Sequence, residues 1–243
     1  MTYIILTAGK GAKLQPLTLN HPKSLYKLDD KTTVLQRLVR CIRKYDENAE
    51  IIVVVGYMYK LIQKELEDDN VEYVLNPFYS VTSSMGSLWF AKDYLQRENV
   101  TIINGDIVAS DKLVQDVVCK HADYPYVLLD STHKDANKYN VQVQGELVCV
   151  MSKNLTEYAG NYASIVKLDA VTSRFLLEQL NQMVNEEMYN LFYEDSLVQM
   201  IFQKNFELYY KDIKDYKWTE VDCVDDLLKA RQIQVENEEL YRG

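Results

Sequence analysis

Short, continuous apolar runs alternate with amphipathic helical patterns in the first half of this sequence. Five of these runs are rich in β-branched residues, and they lie at residues 2–7, 50–55, 71–75, 100–104 and 125–130. Runs of this kind are typical of strands that are covered on both faces. Between them, residues 34–42 and 88–95 each place their apolar side chains on one helix face. The alternation predicts an α/β fold, with a doubly wound, mostly parallel mixed sheet flanked by helices.

The pattern changes after residue 135. Residues 139–151 predict a β-hairpin with Gln144, Gly145 and Glu146 in its turn. Further elements are predicted as a strand at 162–168, helices at 171–186 and 192–204, strand-like segments at 206–211 and 216–221, and a last helix from about residue 224. With four prolines and eight glycines, no segment has the composition of a linker. We therefore predict one domain over residues 1–243, in which the second half completes the sheet and adds a small hairpin and helical part.

Charge and cysteine content narrow the range of partners. The chain carries a formal net charge of −9 and has a pI near 4.9, which argues against binding to nucleic acid or to an anionic membrane. An anionic ligand must therefore meet a local basic pocket. Cys41, Cys119, Cys149 and Cys223 are widely spaced, and we interpret them as reduced, structural thiols. No segment approaches the length of a membrane span and no secretory signal is evident, so we expect a cytoplasmic protein.

A loop rich in glycine and lysine follows the first predicted strand, in the sequence YIILTAGKGAKLQPLTLNHPKSL. Such a loop leaves the carboxyl end of a strand, where open α/β sheets bind ligands. The backbone amides at Gly9 and Gly11 could approach a phosphate closely, and charge would come from Lys10, Lys13 and Lys23. The spacing matches neither the dinucleotide-binding fingerprint nor the P-loop. From these residues alone, a structural turn and a phosphate site are equally compatible with the loop.

The same loop and the residues after it resemble a family signature. LTAGKGAKLQPLT followed by HPKSL is similar to the pattern AAGxGxRLxPLT...PK of nucleotidylyltransferases, which activate sugar phosphates and other phosphorylated small molecules with a nucleoside triphosphate. The resemblance implies that Lys13 holds the pyrophosphate part of the nucleotide and that Lys23 contacts the phosphate at the reacting centre. It also implies that the glycine loop wraps the triphosphate, with contacts from Thr7, Ala8, Gly9, Lys10 and Gly11.

Two residues of the signature depart from the usual pattern. Thr7 replaces the first alanine, which is a small change. Lys13 replaces arginine, which keeps the charge but gives up bidentate hydrogen bonding. We expect the grip on pyrophosphate to be weaker here or to be shared with Lys10.

Two aspartates match positions at which the family binds magnesium. Asp106 follows the fourth long strand in NGDIV, and Asp222 lies in KWTEVDCVDDLLKA, which resembles the family's W-x-E-I-D-x-x-x-D-L segment. A nucleoside triphosphate and an attacking phosphate bring several negative charges together, so substitution at phosphorus needs a divalent ion and lysines. Two carboxylates with phosphate oxygens and water suit Mg²⁺. The alternative is that these carboxylates are solvated and that Asp225 and Asp226 only begin a helix.

The segment between the third and fourth predicted strands indicates a branch of the family. LNPFYSVTSSMGSLWFAKDYL is more similar to small cytidylyltransferases that act on phosphocholine or aminoalkyl phosphonates than to sugar-phosphate enzymes, which carry a GTA motif here. The resemblance implies that this loop and the VGYMYK turn contact the nucleotide's pyrimidine, through Gly56, Tyr57, Asn76, Ser84 and Ser87. For at least one of the serines, capping of the next helix is the alternative.

The second half carries residues that resemble the acceptor pocket of that branch. NLFYEDSLVQMI is similar to its aromatic and acidic segment, and ANKYNVQV aligns loosely with another pocket aromatic. Aromatic faces attract ammonium groups, so the resemblance implies an acceptor with a cationic amine. The implied acceptor residues are Tyr139, Lys153, Tyr193, Glu194, Asp195 and Glu220. Ordinary packing of the aromatic residues is the alternative, because the chain has 19 tyrosines. Asn161 and Ser164 stand where the family usually has glutamate and glycine.

The resemblance covers nearly the whole chain and implies a magnesium-dependent cytidylyltransferase. CTP and a small phosphorylated or phosphonate amine would give a CDP-linked product and pyrophosphate, with the acceptor's own phosphate as the nucleophile. Residues 1–130 would mainly bind the nucleotide, and residues 131–243 would mainly bind the acceptor and complete the sheet. Two alternatives stay open: a sugar-1-phosphate nucleotidylyltransferase, and an inactive nucleotide-binding homologue with a regulatory role. A homodimer is compatible with the sequence but is not indicated by it.

Overall fold

The computed structural model describes residues 1–240, with the side chains of all of these except residues 17 and 238–240. The strands are β1 Thr2–Leu6, β2 Glu50–Val55, β3 Glu72–Leu75, β4 Asn99–Asn104, β5 Ile107–Ala109, β6 Tyr126–Asp130, β7 Asn140–Gln144, β8 Leu147–Ser152, β9 Gly160–Asp169, β10 Tyr209–Asp212 and β11 Trp218–Glu220. The helices are α1 Val34–Tyr45, α2 Tyr59–Glu65, α3 Ser84–Phe90, α4 Asp111–Leu113, α5 Ala170–Asn185, α6 Tyr193–Lys204 and α7 Val224–Leu240. Short 3₁₀ turns lie at Ala12–Leu14, Leu17–Leu19, Lys23–Leu25 and Lys92–Gln96, and a π-helical turn at Val114–Val118 continues α4.

Nine of these strands form one mixed sheet in the order β3-β2-β1-β4-β9-β6-β10-β8-β7. β3, β2, β1 and β4 are parallel to one another, and β10 is parallel to β6. β9 runs antiparallel between β4 and β6, and the β7–β8 hairpin pairs antiparallel with β9 and β10. β5 and β11 form a separate antiparallel ribbon. The predicted α/β class with a mixed sheet is confirmed, and strands β7 to β10 of the second half belong to that sheet.

The continuous apolar sequence of the inner strands follows from packing on both faces of the sheet. Alternate side chains of a strand point to opposite faces. In β1, Tyr3 and Ile5 belong to an apolar cluster with α1 and α2, whereas Ile4 belongs to a second cluster with α3, α5 and α6. All three side chains are completely buried. The sheet is therefore a middle layer between two helical layers, as the doubly wound prediction requires.

Most predicted elements agree with the structure within a few residues. The predicted hairpin is confirmed, and Gly145 supplies the left-handed conformation of its turn with a φ of +62°. The strand-like segments 206–211 and 216–221 are observed as the shorter β10 and β11. The sequence patterns do not predict β5, α2 or α4, which have three, seven and three residues and are too short to show a period. The last residues of the predicted domain, 241–243, lie outside the described residues.

All four cysteines are free in this structure. Cys41 is buried and Cys223 is exposed. In residues 1–240, no helix combines the length and the apolar character needed to cross a membrane.

One lysine is buried in the core, where its hydrogen-bond partners are neutral. Lys167 on β9 is fully buried. Its Nζ donates to the carbonyl oxygen of Val118 at 2.6 Å and to the hydroxyl of Thr101 at 3.2 Å. Burial lowers the pKa of Lys167 to about 7, because the core disfavours the charged form. The protein therefore carries a lysine whose charge state changes near neutral pH.

Replacement of Lys167 by methionine is expected to remove a pH-dependent contribution from the free energy of unfolding. The folded state lowers the pKa of Lys167 to about 7, so between that pH and the ordinary lysine pKa of about 10.4 the unfolded chain binds one more proton. The resulting penalty is complete below about pH 7 and disappears as the pH rises towards about 10. It amounts to a few kcal/mol, since one pKa unit corresponds to about 1.4 kcal/mol.

Urea unfolding of both proteins at about pH 7 and about pH 9.5 measures this contribution. The stability of the wild type should rise with pH relative to that of the Lys167→Met variant, because other titrating groups contribute equally to both. An identical pH dependence in the two proteins would show that Lys167 keeps an ordinary pKa.

Candidate active site

A cavity of about 430 Å³ opens at the carboxyl ends of β1 and β4. The predicted site residues that line it are Thr7, Ala8, Gly9, Lys10, Gly11, Lys13, Lys23, Ser84, Ser87, Asp106, Tyr139, Lys153, Glu194, Glu220 and Asp222. The predicted site residues that do not line it are Gly56, Tyr57, Asn76, Tyr193 and Asp195. Both halves of the chain therefore contribute walls to one cavity.

The glycine loop, which contains Gly9 and Gly11, packs against Thr18 and Lys23 of the turns that follow it. Gly11 has a φ of +63°, a left-handed conformation that favours glycine. A Cβ atom there would lie 3.1 Å from Thr18 and 3.3 Å from Lys23, and Thr18 Oγ1 donates to the Gly11 carbonyl at 2.9 Å. Gly9, in contrast, has nothing within 4 Å of its Cβ position, so its backbone borders open space. The Thr7 hydroxyl donates to the Val54 carbonyl at 2.7 Å, which accommodates the departure from alanine without filling the loop.

A two-stranded ribbon places the two predicted metal ligands on the same wall. β5 begins directly after Asp106, and β11 ends two residues before Asp222. In this ribbon Glu220 pairs with Ile107, and the Val221 N–H donates to the Asp106 carbonyl at 3.0 Å. Two carboxylates that are far apart in sequence are therefore held side by side by backbone hydrogen bonds.

The two lysines of the signature contact these carboxylates. Lys23 Nζ forms an ion pair with Asp106 and a second one with Asp222 Oδ1 at 3.3 Å. Lys13 Nζ lies 2.8 Å from Asp222 Oδ2. The structure thus brings together the four residues to which the sequence assigned the phosphate and metal chemistry, although their roles stay predictions.

A third lysine, which the sequence patterns do not single out, joins the same cluster. Lys138 Nζ lies 2.7 Å from Asp222 Oδ2 and 2.9 Å from Glu220 Oε2. Ser164 Oγ also donates to Glu220, at 2.9 Å from Oε1. Ser164 has a φ of +55° inside β9, which explains why glycine is usual at this position. Two sequence features could have identified this cluster: Lys138 precedes Tyr139, and Ser164 departs from the family pattern.

The charges of this cluster shift one another's pKa values. Burial alone would lower the pKa of Lys23, but Asp106 and Asp222 outweigh it and hold that pKa above its ordinary value. Burial alone would raise the pKa of Asp222, but Lys23, Lys13 and Lys138 hold it well below the usual range. Burial raises the pKa of Asp106 even though Lys23 opposes the shift. Asp106 therefore depends on a neighbouring cation to stay ionised.

Asp106 and Asp222 fit a hard divalent cation by their chemistry and their convergence. Both carboxylates contact the same Nζ atom of Lys23, so they flank a point that already holds positive charge. Mg²⁺ is typically bound by one or two carboxylates, with water and substrate phosphates completing its shell. Within residues 1–240, no cluster of three or more His, Cys, Asp or Glu side chains is arranged to hold a metal ion by itself. The donor set therefore suits a metal that arrives with a phosphate ligand.

Asn76 supports the wall of the proposed base pocket from behind. It is completely buried, and its amide nitrogen donates to Thr82 Oγ1 and to Ser87 Oγ, both at 3.0 Å. Ser84 and Ser87 line the cavity. Ser83 is the N-cap residue of α3, but its side chain makes no capping hydrogen bond. Asn76 thus positions the hydroxyl groups of Thr82 and Ser87, and its amide nitrogen uses both of its N–H groups in these two hydrogen bonds.

Gly56 and Tyr57 shape the loops rather than line the cavity. A Cβ atom on Gly56 would lie 2.7 Å from Tyr79 Cβ and 2.8 Å from the Ala8 carbonyl, so only glycine fits there. The Tyr57 hydroxyl donates to the carbonyls of Thr18 and Leu19, at 2.9 and 2.7 Å. Tyr79, which the sequence patterns do not identify, lines the cavity and packs on Gly56.

Of the two adjacent acidic residues Glu194 and Asp195, Glu194 is the one that lines the cavity. It is 4% exposed and lines the cavity, and among the described residues its Oε2 has no hydrogen-bond partner. Burial raises the pKa of Glu194 to about 8. Tyr139, Phe192 and Lys153 line the same region, and Lys153 Nζ lies 4.2 Å from the Phe192 ring centroid and 5.4 Å from that of Tyr139.

Two predicted acceptor residues have structural partners instead. Tyr193 is completely buried, and its hydroxyl bonds to that of Tyr162. Asp195 accepts from the Phe192 N–H at 2.9 Å, which caps the start of α6, and from the Tyr139 hydroxyl at 2.9 Å. Neither side chain lines the cavity, because the first turn of α6 turns Glu194 inwards and its two neighbours elsewhere.

The fold and the cavity define a Rossmann-like α/β protein with a charged cavity at the edge of the sheet where such proteins bind nucleotides. The chain belongs to the nucleotidyl transferase family, whose model matches residues 2–237. This confirms the family that the signature indicated.

Curated relatives cover the chain to different extents. Choline-phosphate cytidylyltransferase of Streptococcus pneumoniae is 25% identical over 234 residues, which are 96% of this chain and 98% of that protein. CTP:phosphoglutamine cytidylyltransferase of Campylobacter jejuni is 28% identical over 124 residues, 49% of this chain and 48% of that protein. Bifunctional protein GlmU of Methanococcus maripaludis is 31% identical over 123 residues, 50% of this chain and 28% of that protein. The matches to the last two therefore span less than half of each relative.

Solved structures share the whole fold at low identity. CTP:phosphocholine cytidylyltransferase from Streptococcus pneumoniae superposes with a TM-score of 0.78 at 21% identity, covering 96% of this chain and 98% of that one. The inositol-1-phosphate CTP transferase from T. maritima gives a TM-score of 0.78 at 16% identity, with 96% of each chain covered. At these identities the likeness shows the fold.

The contact between Lys23 and Asp106 is expected to couple the two side chains in folding. Lys23→Met would leave Asp106 buried without its cation. It should lower the free energy of unfolding by about 2 to 3 kcal/mol, slightly below the range for fully buried pairs because Lys23 keeps 27% exposure. The double change Lys23→Met with Asp106→Asn should cost much less than the sum of the single changes. Urea unfolding of the four proteins measures the coupling, and additive costs would contradict it.

Proposed function

We propose that the protein is a magnesium-dependent cytidylyltransferase, which transfers CMP from CTP to a small phosphorylated or phosphonate amine and releases pyrophosphate. The observation that carries this proposal is the contact of Lys23 with both Asp106 and Asp222 beside the glycine loop. Two of the relatives are cytidylyltransferases by name, for choline phosphate and for phosphoglutamine. These names support cytosine as the base and a nitrogen-containing acceptor.

In the proposed reaction, an oxygen of the acceptor's phosphate attacks the α-phosphorus of CTP, and the bond to the β-phosphate breaks to release pyrophosphate. The backbone amides around Gly9 and Gly11 would bind the triphosphate, next to the open space at Gly9. Lys23 would stabilise the charge on the α-phosphate and Lys13 that on the pyrophosphate. Asp106 and Asp222 would hold Mg²⁺, which neutralises and orients phosphate groups when bound. No side-chain nucleophile is required.

The acceptor's amine would bind on the opposite side of the cavity. The carboxyl group of Glu194, which lines the cavity together with Tyr139 and Phe192, supplies the charge interaction that an ammonium group needs. Because burial raises the pKa of Glu194 to about 8, an ammonium group beside it would favour the ionised carboxylate. The counter-charge in this proposal is Glu194, since Asp195 caps α6.

Replacement of the central residues should remove turnover while the fold survives. Lys23→Met and Asp106→Asn are each expected to lower kcat by about 100-fold or more, the scale of losing one preorganised electrostatic contact to the transition state. Lys31→Met and Asp225→Asn, which change exposed residues of the same types, are the matched controls. Pyrophosphate release from CTP measures turnover, and near-normal turnover in either central variant would show that its residue does not act at the reacting centre.

A sugar-1-phosphate nucleotidylyltransferase is the second candidate. It is favoured by the hydroxyl groups of Thr82, Ser83 and Ser164 in the cavity wall and by the fold shared with the inositol-1-phosphate enzyme. It would use the same loop and carboxylates with a different acceptor.

A panel of acceptors separates the two candidates. Pyrophosphate release should be fast with phosphocholine, phosphoethanolamine or aminoethylphosphonate and slow with hexose 1-phosphates, when each is offered with CTP and Mg²⁺. Rapid turnover of a hexose 1-phosphate alone would favour the second candidate. Binding of CTP without turnover of any acceptor would favour the inactive homologue. The division at residue 130, the cytoplasmic location and the homodimer stay predictions.

A further inference from the structure

Lys153 is a cation that faces the acceptor side of the cavity without a carboxylate bound to it. It lies at the end of the β8 hairpin strand and is partly buried, and its Nζ is held over the rings of Phe192 and Tyr139, at 4.2 and 5.4 Å from their centroids. None of the ion pairs among the described residues includes it. Burial and the charge of Lys13 together lower the pKa of Lys153. This lysine therefore offers a positive charge to a ligand.

Glu194 provides the complementary group at the same end of the cavity. The residue is 4% exposed, and its Oε2 is buried and has no hydrogen-bond partner among the described residues. Lys153 and Glu194 sense each other's charge but do not form an ion pair. The cavity wall thus contains one amino group and one carboxyl group that form no ion pair among the described residues.

An acceptor whose only charged group besides phosphate is an amine would leave this arrangement unbalanced. The rings of Phe192 and Tyr139 already hold the ammonium of Lys153. A second ammonium on the same rings would meet Lys153 at short range, where like charges repel strongly in a partly buried site. An acceptor that carries a carboxylate as well as an amine would satisfy both protein groups.

We propose that the acceptor is a phosphorylated or phosphonate amino acid, whose ammonium group binds Glu194 and whose carboxylate binds Lys153. The inference rests on the proposed function and specifies its acceptor. The nucleotide and the phosphate of the acceptor bind at the cluster of Lys13, Lys23 and the two aspartates, and the reaction is unchanged: the phosphate oxygen attacks and pyrophosphate leaves. Lys153 acts in this scheme as a specificity residue for the carboxylate.

O-phosphoserine and phosphoethanolamine provide a matched pair of acceptors, because they differ only in the carboxylate. The wild type should use O-phosphoserine with a kcat/KM about 10- to 100-fold higher, the factor expected for one charged hydrogen bond. In the Lys153→Met variant, kcat/KM should fall at least about tenfold more for O-phosphoserine than for phosphoethanolamine. Lys134→Met, which changes an exposed lysine of the 131–139 segment, should leave the ratio of the two acceptors unchanged.

The ratio of the kcat/KM values for the two acceptors shows whether Lys153 contacts the carboxylate of the acceptor or its phosphate. An equal loss for both acceptors in Lys153→Met would show that Lys153 binds the shared phosphate and would overturn the inference. A wild type that prefers phosphoethanolamine or phosphocholine would overturn it too, while the proposed function stands. A wild type that uses none of these acceptors would overturn the proposed function and the inference with it.

Binding to the wild type gives a second readout that does not depend on the variant being folded. In calorimetric titrations that contain neither CTP nor Mg²⁺, the affinity for O-phosphoserine should be at least about tenfold higher than that for phosphoethanolamine. Equal affinities would contradict a carboxylate contact with Lys153.

Discussion

The ion pairs that join Asp222 to three lysines are the interactions on which the rest of the site depends. Lys13 and Lys23 lie in the segment that follows β1, and Lys138 precedes β7, so two distant parts of the chain supply the lysines that contact Asp222. A wall with several buried carboxylates would repel itself without these cations. Phosphate oxygens would compete with the carboxylates for the lysines, and a divalent cation would compete with the lysines for the carboxylates. The same charges would therefore stabilise the wall and supply partners for both of the proposed ligands.

The backbone determines where these charges meet. β1 and β4 are parallel neighbours, so the lysine-bearing loop and Asp106 leave the sheet at the same edge. The ribbon of β5 and β11 then carries the chain from the far end of the sequence to that edge, with Trp218 opposite Ala109. Trp218 Nε1 donates to Asp130 at 2.7 Å, which ties the ribbon to the end of β6. Hydrogen bonds of the backbone and of one indole thus fix a charge cluster that would otherwise separate.

The sequence predicted the signature residues better than their neighbours, and the reason is physical. Gly9, Gly11 and the signature lysines lie in one continuous loop whose spacing is visible in the sequence. The β5–β11 ribbon pairs two three-residue strands that lie about a hundred residues apart in the sequence, and strands this short show no periodic pattern from which the pairing could be predicted. Lys138 acts through contacts with Asp222 and Glu220 that only the folded chain creates. The roles of all these residues in catalysis are still predictions.

The different positions of Glu194 and Asp195 at the start of α6 could not be predicted from the sequence for a similar reason. Glu194 and Asp195 are adjacent, and about 100° of helix rotation separates their directions. The pattern could identify an acidic pair near an aromatic residue but not which member turns inwards. Asp195 stands three residues after Phe192, the spacing of a capping box, and the structure confirms that bond to the Phe192 N–H. Because Phe192 has no side-chain oxygen, the sequence lacks the serine or threonine of a capping box, and the bond to Asp195 is visible only in the folded chain.

The walls proposed for the base and for the acceptor share hydrogen bonds across the two halves of the chain. The N–H groups of Ser83 and Met85 donate to the carbonyls of Tyr189 and Leu191, and the Tyr193 N–H donates to Ser84 Oγ at 3.0 Å. Residues 189–193 lead directly into the turn that carries Glu194. A change that moved the serine loop would therefore also move the buried carboxylate, because three bonds connect them. Selectivity for the base and selectivity for the acceptor should consequently depend on each other in this fold, and a substitution made to alter one is expected to alter the other.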